Sequence, residues 1–201
     1  MRFTILTFAL LLPVQAQLVL HKTETTRQVV GEKGMEAATV LEVSTADKKR
    51  LYTLKVEGVD GRTMNDEIFV VARGLEDVEW WSVYRLSDGK PMFDTHVPVV
   101  QAGKLYAGFD VPADGDPRLK NSRLVGVVNM AGASGAVRRV EVHCADANRA
   151  ALLRSYWDAR RTLSVSGDSL VLSILGGSPD VNIRVPLKST GPVRACDIVA
   201  R

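Results

Sequence analysis

Three histidines and two cysteines are the residues of this chain best suited to chemistry beyond carrying charge. His143 and Cys144 are adjacent, which invites a nucleophile–base pairing. Residues 137–144 read Val-Arg-Arg-Val-Glu-Val-His-Cys, an alternating strand. Val140 and Val142 fall on one face and Arg139, Glu141 and His143 on the other. Neighbours on a strand point to opposite faces, so His143 and Cys144 cannot form a dyad there. Asp94 and His96 place two candidate metal ligands on one strand face. A metal centre needs several converging ligands, and His21, His96 and His143 lie far apart with no paired spacing. Asp114-Gly115-Asp116 is similar to a fragment of a calcium loop, without its spaced acids or terminal glutamate. No Gly-x-Ser-x-Gly elbow and no phosphate loop ending in lysine occurs. These patterns predict no metal, no cofactor and no catalytic residues. A hydrolase with His96 or His143 as base is the first alternative.

Aromatic residues stand out more. Residues 80–86 and 91–95 read as a hairpin joined by Ser87-Asp88-Gly89, with Gly89 in the left-handed conformation. That register sets Val83 opposite Phe93 and Tyr84 opposite Met92. Trp81, Val83 and Phe93 then share one face, and Trp80, Tyr84 and Met92 the other. Both faces are apolar, which a half-exposed hairpin does not require. Trp80, Trp81, Tyr84 and Phe93 are therefore the candidate binding residues, because exposed aromatic patches mark partner sites. The hairpin is similar to those of propeller blades, but a propeller repeats it several times and here it occurs once. Arginines 138, 139, 149, 154, 160 and 161 cluster around the junction after residue 144. They offer an anion-binding face, or a solvated one with Arg154 and Arg161 paired to Asp158.

The elements that must position these residues are mostly short strands. Runs at 37–43 and 51–56 are rich in β-branched and aromatic residues, and 105–111 and 124–130 read as further strands. Residues 67–72, Glu-Ile-Phe-Val-Val-Ala, form a near-continuous apolar run expected at the centre of a sheet. Asp146 is a good N-cap for a helix over 147–161. Strands at 163–165 and 170–175 follow. Residues 181–187 alternate well, and Pro186 puts that strand at an edge or ends it. The turn-rich stretch 112–122 is the candidate sub-boundary. The expected class is mainly β (α+β): an antiparallel, sandwich-like domain with one packed helix near 147–161.

Residues 1–16 read as a cleaved signal peptide. Arg2 precedes an apolar run too short to span a bilayer, and Val14-Gln15-Ala16 supplies a small-residue cleavage site. Residues 17–201 then form a single β-rich domain, secreted or periplasmic, with no second apolar run to cross a membrane. In that compartment Cys144 and Cys196 are expected to form a disulfide. A formal net charge of +3 is far from a nucleic-acid footprint. The function expected is non-enzymatic binding of a protein or glycan partner through the aromatic hairpin. The second alternative is an envelope component acting by strand augmentation near residues 181–187.

Overall fold

A computed structural model of the chain describes residues 18–28, 35–45, 50–57, 59–64, 67–75, 78–112, 116–133, 135–156, 159–176 and 180–196. Residues 1–16, read above as a signal peptide, lie outside these residues, as do Asp114, Gly115, Trp157 and Asp158.

Strands dominate, as the short β-branched runs predict. An N-terminal sheet holds β1 (Leu18–Gln28), β2 (Met35–Thr45) and β3 (Arg50–Glu57) in that order. A hairpin sheet follows, with β4 (Val59–Met64), β5 (Ile68–Leu75), β6 (Val78–Arg85) and β7 (Pro91–Thr95), again in sequence order. A central sheet begins with β8 (Val100–Ala102), β9 (Leu105–Asp110), β10 (Leu124–Gly132) and β11 (Arg138–Cys144). Helix α1 (Ala147–Ser155) leads to a C-terminal sheet of β12 (Arg160–Ser166), β13 (Ser169–Leu175) and β14 (Val181–Pro186). Finally β15 (Val193–Cys196) returns to the central sheet and pairs in parallel beside β11.

Three apolar clusters stack the sheets. The largest lies between the central and C-terminal sheets: Phe109, Val128, Met130, Val140 and Val142 meet Leu170, Leu172, Ile174 and Ile183, and α1 adds Ala150 and Leu153. A second joins the other face of the central sheet, through Tyr106 and Ala131, to Ile68, Val70, Trp81, Val83 and Phe93. A third covers the far face of the hairpin sheet, where Tyr52 and Leu54 of β3 pack on Phe69, Val71, Tyr84 and Leu86. The hairpin sheet is thus sandwiched on both sides. Residues 68–72 are all buried, which explains why β5 carries no alternation.

In β11, Val140, Val142 and Cys144 are buried while Arg139 and Glu141 face solvent, as the alternation predicts. The helix begins where expected: Asp146 Oδ1 accepts from the Arg149 N–H at 2.8 Å. It ends at Ser155, short of the expected 161. Arg160 already pairs with Leu175 in the next sheet, which the helix could not continue into. The Arg161 guanidinium caps that end by donating to the Tyr156 carbonyl at 2.7 Å. Leu152, in the last turn, is exposed. The 112–122 stretch joins β9 to β10, two adjacent strands of one sheet.

Candidate binding site

The hairpin of β6 and β7 forms with Val83 opposite Phe93, as predicted, but a register shift after Val83 sets Tyr84 opposite Pro91 and not Met92. A bulge of this kind turns the following side chain. Met92 accordingly packs beside Trp81, Val83 and Phe93, on the face opposite to the one expected. The loop is one residue longer than expected: Arg85 N–H donates to the Lys90 carbonyl at 2.9 Å, enclosing residues 86–89. Gly89 takes φ +70°, and a Cβ there would lie 2.8 Å from the Tyr52 ring. Both the backbone angle and the close ring require glycine. Tyr52 then donates its hydroxyl to the Leu86 carbonyl. Burial, with the Asp88 charge nearby, pushes the Tyr52 phenol up to about 12. Arg85 donates to both Asp88 oxygens, at 2.9 and 2.8 Å. That hydrogen bonding holds the Asp88 carboxyl below its ordinary value of 3.8.

Of the four candidate aromatics, three sit in cores: Trp81, Tyr84 and Phe93 are 6%, 8% and 6% exposed, whereas Trp80 is 40% exposed. The His96 ring stands at an edge-type angle of 76° to Trp80, with centroids 6.0 Å apart. His96 is itself fixed just beyond β7. Its backbone N–H donates to the Phe109 carbonyl at 2.9 Å. Its Nδ1 accepts from the Val111 N–H at 3.1 Å and lies 2.8 Å from Asp110 Oδ1. The lone pair on Nδ1 serves Val111, whereas a proton there would serve Asp110. Beside this group, Ser82 Oγ donates to Asp94 Oδ1 at 2.6 Å. The result is a part-exposed indole set edge-on to an imidazole, with the half-buried Asp110 against that imidazole and the exposed Asp94 two residues before it on β7.

Backbone packing underneath is tight. Thr95 is fully buried; its hydroxyl donates to the Phe109 carbonyl at 2.8 Å. Gly108 of β9 lies directly below, where a Cβ would sit 2.5 Å from Thr95 Oγ1. Asn129 of β10 donates its amide to the Asp94 carbonyl at 3.2 Å.

The remaining candidates separate. The Ser82 hydroxyl has one proton and gives it to Asp94, so it is not poised to give it to His96 as an activated nucleophile would. His143 Nε2 lies 2.7 Å from Glu141 Oε2 on the solvent side of β11, with Cys144 buried on the opposite side. His21 stands in β1 opposite Glu42. Among the described residues no group of three His, Cys, Asp or Glu side chains could hold a metal ion. The arginine cluster also disperses. Arg138 donates to the Leu187 carbonyl, Arg154 to the Leu124 carbonyl and Arg161 to that of Tyr156. Asp110, which reaches His96 from a different sheet, had no signal in the sequence.

The chain matches no family model, and no curated protein is significantly similar to it.

Proposed function

We propose that this chain is an exported, non-enzymatic binding protein whose contact surface centres on Trp80, with His96, Asp94 and Asp110 around it. Its partner is a protein or glycan surface. The single observation behind this reading is that Trp80 stays 40% exposed while its neighbour Trp81 is 6% exposed. An indole left in water forgoes burial that its neighbour achieves. Fixing it against His96 lowers the ordering cost when a partner arrives. The two flanking carboxylates supply hydrogen-bond acceptors for hydroxyls or amides.

Export fits a crosslink between Cys144 and Cys196. The two residues are paired across β11 and β15. Neighbouring strands lie about 4.7–4.9 Å apart, within the ~4.4–6.8 Å that a disulfide bridges.

The test compares two single substitutions. Trp80→Ala should cost about 1 kcal/mol or less in stability, and Trp81→Ala about 3–5 kcal/mol. On arrays of oligosaccharides and of extracytoplasmic proteins, Trp80→Ala should lose whatever the natural chain retains. Binding that survives Trp80→Ala would remove this surface from the reading.

A further inference from the structure

We infer that a second copy of this chain pairs with β1, joining two N-terminal sheets into one six-stranded sheet about a two-fold axis. This stands apart from the Trp80 surface.

The argument begins with the sheet edges. β1 is eleven residues long and pairs with β2 throughout, with no register break. No described strand pairs with its other side. That length is about twice the usual strand, and β1 contains neither proline nor glycine. The other edges are each blunted or shorter. β3, β4 and β7 carry register shifts against their neighbours. β8 and β15 have three and four residues. β14 ends in Pro186, and β12 is seven residues long and starts with two arginines. Long, regular edges without such devices are templates for strand addition.

The order of residues in β1 selects a copy of itself as the occupant. An antiparallel pair with two-fold symmetry must set one residue against its own copy. Thr23 is the midpoint of β1, and an axis there aligns all eleven residues. Lys22 then faces the second copy's Glu24, and this happens on both sides of the axis. His21 faces Thr25, Leu20 faces Thr26, Val19 faces Arg27 and Leu18 faces Gln28. No like charges meet. Moving the axis one residue sets Lys22 against Lys22 or Glu24 against Glu24. Directly opposed unlike charges stabilise a pair of strands and like charges destabilise it, so the register centred on Thr23 is the favoured one.

The test uses the full chain and light scattering over a concentration series. The natural chain should reach twice the chain mass. Lys22→Glu should weaken the dimer about tenfold or more, and Lys22→Glu with Glu24→Lys should restore it. Far-UV circular dichroism checks that each variant is folded. Thr23→Cys, with the natural charges kept, should give a covalent dimer on mild oxidation. A chain monomeric at every concentration, a dimer indifferent to Lys22→Glu, a double variant that fails to re-form it, or no crosslink at position 23 would each overturn the inference.

Discussion

Tyr52 shows how one hydroxyl can report on the aromatic hairpin. Its phenol must stay neutral to donate to the Leu86 carbonyl beside Gly89. The folded chain holds its proton up to about 12, against an ordinary 10.0. Stability from this group is therefore complete below pH 10 and is lost as pH rises from there toward 12. Denaturant midpoints measured across that window should fall in the natural chain and fall less in Tyr52→Phe. At neutral pH the same variant should cost about 1 kcal/mol, the net worth of one hydrogen bond. Alternation along β6 could be read from the residue order, and so could Gly89 as the turn residue. That Trp80 rather than Trp81 meets water could not. It depends on β3 covering Tyr84 while leaving Trp80 uncovered, a contact with residues far away in sequence.

At the level of elements, β7 is the instructive case. It is the outer strand of the hairpin sheet, yet its free side is closed by the central sheet. The His96 N–H reaches the Phe109 carbonyl, the Thr95 hydroxyl reaches the same carbonyl, and the Asn129 amide takes the Asp94 carbonyl. Thr95→Val keeps the shape but removes the hydroxyl. It should cost about 0.5–1.5 kcal/mol, the net worth of one hydrogen bond, because the Phe109 carbonyl loses one of its two donors and keeps the His96 N–H. Amide exchange should speed up at residues 94–97 more than in β5. Element types were largely visible beforehand, since period-two patterns and the Asp146 cap are local. Element ends were less so. The early stop of α1 is dictated by β13, which claims Arg160, and the Tyr84–Pro91 pairing by a bulge that no residue type announces.

Considered whole, the molecule is a pile of sheets in which each layer is finished by the next. The class, mainly β with one packed helix, was readable from the strand runs and the helix cap. The stacking order was not, because period two says which side chains share a face and never which sheet covers it. Cys144 and Cys196 could be paired from their number and the expected compartment, but the parallel return strand that sets them side by side was not readable. Denatured chains from properly exported material should show no reactive thiol until a reductant is added. Two thiols per chain before reduction would break the crosslink proposal. Loss of the crosslink, by Cys144→Ser, should cost about 2–5 kcal/mol. The closure of β7 by later strands also has a bearing on synthesis. As the chain leaves the ribosome, β7 emerges before β9 and β10 exist to cover it, and for that interval its backbone can recruit a neighbouring nascent chain. A chaperone that shields this stretch until about residue 132 has emerged would guard the most vulnerable moment of its birth.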